Sequence, residues 1–252
     1  MERSELRAAF ALSGIFALRM LGLFLILPVF SMHAKSLPGG DQATLVGLAL
    51  GIYGMVQACL HIPLGMLSDK YGRRPVVAVG LVLFVLGALI AASHDDLAWI
   101  TVGRAIQGAG AISAAITAWL ADLTREETRT RSMAMVGGSI ALTFALSLVI
   151  AAPLHELIGL NGMFYLMALL GLGAILIALF VVPGQEVAAK SPFTAKFSEI
   201  FFNKDLLRLN VGVLILHAAQ VALFMTLPGL LVRADLPLNA HWRLYLPAVL
   251  IS

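Results

Sequence analysis

The sequence predicts an all-α membrane protein whose helices cross the bilayer several times. Of its 252 residues, 60% are apolar and 12% are charged, whereas a soluble domain has about 45–50% apolar and about 25% charged residues. The mean hydropathy is +0.94. Apolar windows of about 20 residues, the length that spans about 30 Å of hydrocarbon, recur along the chain. One soluble core cannot bury so many apolar side chains.

Apolar windows bounded by charged or turn-forming residues mark the spans. The complete spans are predicted at 9–32, 44–66, 75–93, 97–121, 131–155, 160–182 and 207–232. A further span begins near Trp242 and has about eleven residues before Ser252, roughly 16 Å of helix, which is too short to cross the bilayer. We therefore expect the sequence to end within its eighth span, with most of a C-terminal half missing.

The distribution of Lys and Arg predicts the orientation of these spans. Twelve of them belong to the N-terminus and to alternate loops: Arg3, Arg7, Lys70, Arg73, Arg74, Arg125, Arg129, Arg131, Lys190, Lys196, Lys204 and Arg208. The opposite loops hold only Lys35, Arg233 and Arg243. Because cytoplasmic loops are enriched in basic residues, we expect a multi-pass protein of the inner membrane with a cytoplasmic N-terminus. Residues 8–32 form too long an apolar stretch for a cleaved signal peptide.

The spans group into two sets separated by a polar segment. We predict an N-terminal six-helix bundle at 1–182, a cytoplasmic linker at 183–206, and the first part of a C-terminal bundle at 207–252. Phe193, Phe197, Ile200, Phe201 and Leu207 recur in and just after the linker at helical spacing. This pattern favours a short amphipathic helix on the inner leaflet, and an ordinary loop under the bundle stays an open alternative. Two groups of helices are typical of a pseudo-symmetric transporter.

Several other classes of protein are excluded by the same residues. A single cysteine, Cys59, excludes a disulfide scaffold, and the scatter of the basic residues excludes a nucleic-acid partner. The nearest match to a protease G-x-S-G motif, at 137–140, lacks the last glycine, and no span holds a lysine for a retinal Schiff base. We therefore predict no enzyme activity, no cofactor and no metal. A truncated half that folds without transporting stays open.

The turn after the second span contains the most specific motif. Gly65, Leu67, Asp69, Gly72, Arg73 and Arg74 follow the pattern G-x-L-x-D-x-x-G-R-R. Gly72 suits a tight turn of two to three residues, Gly65 permits close helix approach, and Asp69 can accept from Arg73. This spacing closely resembles the signature loop of the major facilitator superfamily, which joins the second and third helices of those transporters.

The fourth span carries a second motif of the same family. Gly103, Arg104, Gln107, Gly108 and Gly110 resemble its R-x-x-Q-G-x-G motif. An arginine within a span costs free energy because its charge is removed from water, so it indicates a functional position. It can also tie helices together by hydrogen bonds. The resemblance implies that Asp122, at the end of this span, joins Asp69 and Arg73 in a charge relay.

The whole chain is most similar to the YajR-type branch of proton-driven drug efflux transporters. Leu18, Arg19 and Gly22 in the first span, the pattern at 51–54 and the place of the linker carry this resemblance. It implies twelve spans and a six-helix half built as three plus three inverted repeats. It further implies a multidrug antiporter that works by alternating access, with protons as coupling ion. A transporter of one neutral or anionic metabolite is the alternative.

Two stripes in the second span predict its neighbours. Gly47, Gly51, Gly54 and Ala58 suit tight packing against another helix. Tyr53, Gln57 and His61 repeat every fourth residue, a polar stripe that lines either a cavity or an interhelical seam. With Arg19, near mid-depth in the first span, we predict that Arg19, Tyr53 and Gln57 line the cavity for a small-molecule substrate.

The cavity and its protons depend on few charged groups. Every Asp and Glu falls in a loop or near the end of a span. We therefore expect the proton site at His61, at His217, at a boundary acid such as Asp41 or Glu156, or in the missing part. Two intramembrane arginines without a carboxylate favour neutral or anionic substrates over cations.

Overall fold

The structure, a computed structural model, describes residues 1–183, 204–237 and 240–251, and contains helices and no strand in these ranges. The helices are α1 (Arg3–His33), α2 (Ala43–Tyr71), α3 (Arg73–Ala92), α4 (Leu97–Ala109), α5 (Ser113–Asp122), α6 (Glu126–Leu176), α7 (Lys204–Arg233) and α8 (Trp242–Ile251). The helical stretches that are long and apolar enough to cross a membrane are Arg3–Ser36, Ala43–Tyr71, Arg73–Ala92, Glu126–Val181 and Leu207–Arg233. The fold is therefore that of an all-α multi-span membrane protein.

Helix α1 is buried along most of its length, and it lies against α6. It begins with a capping box, in which the backbone N–H of Glu2 donates to the Glu5 carboxylate at 2.8 Å. A methyl group at Gly22 would come within 2.8 Å of Met167 in α6, so glycine permits this approach. Burial along most of its length places α1 at the centre of the bundle.

A single residue, Gly72, connects α2 to α3. Its φ of 97° and ψ of 150° fall in a region that only glycine readily adopts. The turn is thus shorter than the predicted two to three residues. Helix α2 continues to Tyr71 rather than ending at 66, because its last helical turn is polar and lies beyond the apolar window.

The fourth span, predicted at 97–121, is interrupted in the structure. Helix α4 ends at Ala109 and α5 begins at Ser113, with Gly110 at φ −78° and ψ 43° between them. A Cβ at Gly110 would lie 2.3 Å from the carbonyl oxygen of Gly80. The backbone of this break therefore lies directly against α3, which hydropathy alone does not show.

Helix α6 consists of two arms joined at Gly159. This residue has φ 66° and ψ −179°, a conformation that L side chains rarely adopt. The arms are 126–158 and 160–181, the second including a π-helical turn at Ile177–Val181, and they correspond to the predicted spans at 131–155 and 160–182. Arg125 contacts Glu5, and Val182 accepts from Arg74. Both ends of α6 thus lie at one end of the bundle, so the arms run in opposite directions.

We call this end, which carries residue 1, the α2–α3 turn and the α5–α6 loop, the basic end. At the opposite end, the side chain of Asn161 donates to Asp95 at 2.6 Å. One buried apolar cluster, which includes Phe84 and Phe164, fills the bundle toward the opposite end. A second cluster, which includes Trp119, fills it toward the basic end. These clusters hold the first five helices and both arms of α6 together.

Helix α7 contacts the bundle near the opposite end. The hydroxyl of Ser31 in α1 donates to the carbonyl oxygen of Phe224 in α7 at 3.2 Å. The Phe224 ring is 6.1 Å from that of Phe144 in α6 and 6.0 Å from that of Tyr245 in α8. The amphipathic helix predicted in the linker falls mainly on residues 184–203, which lie outside the described residues.

Candidate functional site

An arginine at the α2–α3 turn joins two carboxylates at the basic end. Arg73 forms an ion pair with Asp69, and its Nε donates to Oδ2 of Asp122 at 3.0 Å. Its Nη1 also donates to the hydroxyl of Ser68 at 2.7 Å. The Arg73 side chain is 14% exposed, against 63% for Asp69 and 28% for Asp122. The three residues for which the family resemblance implies a charge relay are therefore in contact.

The turn directs its two arginines to different partners. Arg74 donates to the carbonyl oxygen of Val182 at 2.7 Å, and its guanidinium lies 5.9 Å from the ring of Trp119. It thus attaches the turn to the end of α6, while Arg73 faces the carboxylates. A Cβ at Gly65 would lie 3.7 Å from that of Ala114, an ordinary contact distance. The structure therefore does not require glycine at Gly65, contrary to the close approach expected there.

A second polar group lies halfway along α1. The guanidinium of Arg19 is fully buried. It donates to the Tyr53 hydroxyl at 2.7 Å and to Oε1 of Gln57 at 3.3 Å, both in α2. It also donates at 3.2 Å to the hydroxyl of Ser113 and to the carbonyl oxygen of Gly110, on the two sides of the α4–α5 break. The structure thus places Arg19, Tyr53 and Gln57 together.

The open side of α2 differs from the expectation for its glycine stripe. A Cβ at Gly51 or Gly54 would meet no described atom within 4 Å, so the predicted tight packing is wrong at these positions. Only Gly47 has a neighbour, the sulfur of Met225 at 3.5 Å. Between residues 51 and 67, α2 has no buried residue in the described part of the chain. The polar stripe of Tyr53, Gln57 and His61 therefore borders a partly open surface.

The fourth-span motif ties α4 to its neighbours. Arg104 is buried and donates to the carbonyl oxygens of Ala49 and Leu50 in α2, each at 3.4 Å. Gln107 is also buried, and its Nε2 contacts the sulfur of Met167 at 2.8 Å. A Cβ at Gly108 would lie 2.4 Å from the carbonyl oxygen of Tyr53. These contacts hold α4 against α2 and α6.

The predicted proton sites are only partly described. His61 is half-buried on α2. His217 belongs to α7, but its side chain lies outside the described residues. Asp41 lines a cavity of about 280 Å³ at the opposite end, together with Ser31, Lys35 and Met225. In the part of the chain that the structure describes, no three His, Cys, Asp or Glu side chains come close enough to hold a metal ion.

Sequence reasoning missed an ion pair at the basic end. The buried carboxylate of Glu5 accepts at 3.0 Å from the backbone N–H and from Nε of Arg125, and at 3.0 Å from the hydroxyl of Thr128. The hydrogen bond from its side chain to Glu5 raises the pKa of Arg125 above its ordinary value. Nothing local in the sequence joins residues 120 positions apart.

A histidine pair at the opposite end was missed for the same reason. Nε2 of His155 lies 3.1 Å from Nδ1 of His33, and the rings meet edge to face. His33 ends α1, and His155 lies near the end of the first arm of α6. The pair therefore fixes the outer part of one arm to α1.

Comparison with known proteins agrees with this architecture. Residues 12–252 match the Major Facilitator Superfamily. The inner membrane transport protein YajR of Escherichia coli is 40% identical over all of this chain, which spans 56% of that protein's length. The tetracycline resistance protein, class H, of Pasteurella multocida is 33% identical over 58% of this chain and 36% of its own length.

A solved structure shows the same fold. The crystal structure of a bacterial homologue of the human lysosomal transporter Spinster, in an inward-facing and unoccupied conformation, aligns with a TM-score of 0.73. The alignment covers 99% of this chain and 60% of the chain in that crystal structure, at 13% sequence identity. With the family match over nearly all of its residues, the chain belongs to the Major Facilitator Superfamily, a family of transporters and not of enzymes.

Proposed function

We propose that this chain forms the N-terminal half of a secondary active transporter that exports small amphipathic compounds in exchange for protons. The observation that carries the proposal is the polar centre of the bundle, where Arg19 meets the break between α4 and α5. Helices interrupted near mid-depth are a common feature of substrate sites in transporters. The tetracycline resistance proteins among its relatives support export as the direction.

Each end of the bundle has contacts that bear on alternating access. At the basic end, Arg73 holds Asp69 and Asp122, and we propose that this cluster favours the outward-open state by keeping the cytoplasmic ends of the helices together. At the opposite end, Ser31 in α1 contacts Phe224 in α7. Alternating access requires the opposite end to open in one state, so the contact between α1 and α7 must break in that state.

Transport is tested with the whole gene product in everted membrane vesicles. Respiration first builds an inward proton gradient, which is followed by quenching of an acridine dye, and tetracycline is then added as probe. Proton exchange predicts that fluorescence recovers when the drug enters, because each imported molecule releases protons. Vesicles from the same strain without the protein are the control. Drug accumulation that is equal with and without the gradient would contradict proton coupling.

A further inference from the structure

Arg19 is a buried cation whose described partners are all neutral. Its four hydrogen bonds reach two hydroxyls, one amide oxygen and one backbone carbonyl. None of the ion pairs in the described part of the chain includes it. Its Nε, also buried, has no hydrogen-bond partner there.

An unpaired guanidinium at this depth is costly. The free-energy cost of removing a cation from water is offset only when an anion or a full set of hydrogen bonds replaces the lost hydration. Neutral acceptors repay part of this cost, and hydrogen bonds to an ionised acceptor are roughly twice as strong. The position of Arg19 therefore gains free energy when an anion reaches it.

The helix break adds positive potential at the same place. Ser113, whose hydroxyl accepts from Arg19, is the first residue of α5. The first N–H groups of a helix lack intrahelical partners and carry the positive end of the helix dipole. The N-terminus of α5 and the unpaired Nε of Arg19 thus both favour an anionic ligand.

Two of the four partners of Arg19 can give way, unlike those of Arg104. Arg104 donates to backbone carbonyls of α2, which are fixed by the helix. Arg19 donates to the side chains of Tyr53 and Gln57, which are half-buried and rotatable. They lie on the stretch of α2 that has no buried residue. A compound approaching along that surface can take their place as acceptor.

We propose that Arg19 binds the charged group of the transported compound, so that the substrates are amphipathic organic anions such as carboxylates or sulfonates. The Arg19 guanidinium is 5.6 Å from the ring of Phe84 and 5.9 Å from that of Tyr53. Tyr53, at the open side, offers an aromatic surface to the apolar body of such a compound. This proposal rests on the proposed transport function and names its substrate class.

The test measures binding of two dyes of similar shape and opposite charge to the purified whole gene product. Carboxyfluorescein supplies the anion and rhodamine 6G the cation, each followed by fluorescence polarisation. We expect the wild type to bind the anion, Arg19→Gln to weaken it about tenfold or more, and Arg19→Lys to weaken it less, because one charge-assisted hydrogen bond is worth roughly 1.5–3 kcal/mol. Arg131→Gln, at an exposed position, is the matched control and keeps wild-type affinity.

Binding of the cation alone by the wild type, or unchanged anion affinity in Arg19→Gln, would overturn the proposal. If Arg19→Gln is not monodisperse, Tyr53→Phe carries the test, since it removes a competing acceptor and leaves the guanidinium in place. Tighter anion binding in Tyr53→Phe supports the site, and equal or weaker binding overturns it. Proton exchange with tetracycline but without Arg19-dependent anion binding would refute this site alone. Arg19-dependent binding without any transport would instead refute the transport function.

Discussion

Arg73 contacts two carboxylates whose exposure to solvent differs. This difference determines how much each ion pair contributes to the stability of the cluster. Asp69 is more than half exposed, so water and salt screen its attraction, and exposed ion pairs are worth only about 0–1 kcal/mol. Asp122 is less than one-third exposed and holds Nε of Arg73 across two helix ends. The contact with Asp122 is therefore the one that links α5 to the α2–α3 turn.

Substitution of these acids tests the role of the cluster in transport. Asp69→Asn is expected to lower turnover with little change in expression, because it weakens the ion pair with Arg73 that favours the outward-open state. Asp122→Asn is expected to lower turnover further. The measurement is the initial transport rate in vesicles, divided by the amount of protein, with Asp205→Asn at an exposed position of α7 as control. A normal rate in Asp69→Asn would contradict the proposed role of the cluster.

The sequence indicated some of these residues and could not indicate others. Asp69, Arg73 and Asp122 follow from a motif of fixed spacing and its known partner. Arg19 follows from the cost of a charge in a span. Ser113 could not be predicted as its partner, because the two lie 94 positions apart and serine is common in helices. Pairs of this kind depend on how spans are arranged around each other, which local patterns do not specify.

At the scale of elements, the close approach of the α3 and α4 backbones offers a direct test of helix packing. A Cβ at Gly87 would lie 2.4 Å from the carbonyl oxygen of Gly103, and one at Gly103 would lie 2.6 Å from that of Gly87. The two backbones therefore touch at a pair of glycines. Neither helix can rotate or slide without moving this contact, because a backbone cannot yield as a side chain does.

We expect Gly87→Ala to destabilise the protein by roughly 1–3 kcal/mol, the usual range for an overpacked core. Gly14→Ala in α1 is the matched control, because its new methyl group would lie 3.7 Å from Ile177, an ordinary contact. That control is expected to be up to about 1 kcal/mol more stable, since alanine favours helix over glycine. Thermal unfolding in detergent measures both. Equal melting temperatures for the two variants would refute the close approach.

Hydropathy located the elements well but not their interruptions. The number and order of apolar stretches up to 182 agree with the observed helices. The break at Gly110 was missed because its residues are apolar and small, and the apolar window continues through it. The reversal at Gly159 falls where a boundary was expected, since polar residues precede and follow it. Composition indicates where a chain can cross a membrane, and backbone contacts decide where a helix is broken.

At the scale of the whole molecule, α7 is the described link between the bundle of α1–α6 and the residues that follow it. Its contacts lie near the opposite end, where Met225 meets α2 and Phe224 meets α1 and α6. At the basic end, the two ion pairs of Arg73 join α2, α3 and α5. If α7 moves with a second half, its contacts at the opposite end must break for that end to open.

Cross-linking tests this movement. Gly47→Cys with Met225→Cys, in a Cys59→Ser background, places two thiols on α2 and α7 where glycine and methionine now meet. A short thiol-to-thiol cross-linker is expected to stop transport, and a cleavable form of it should restore transport after reduction. Each single-cysteine variant, treated in the same way, is the control. Full transport by the cross-linked protein would show that this contact need not open.

The turns at Gly72 and Gly159 also bear on how the protein enters the membrane. Each joins two antiparallel spans through one residue. No connecting loop is therefore long enough to let one span of a pair insert before the other. During synthesis, α2 with α3 and the two arms of α6 should therefore partition into lipid as helical hairpins.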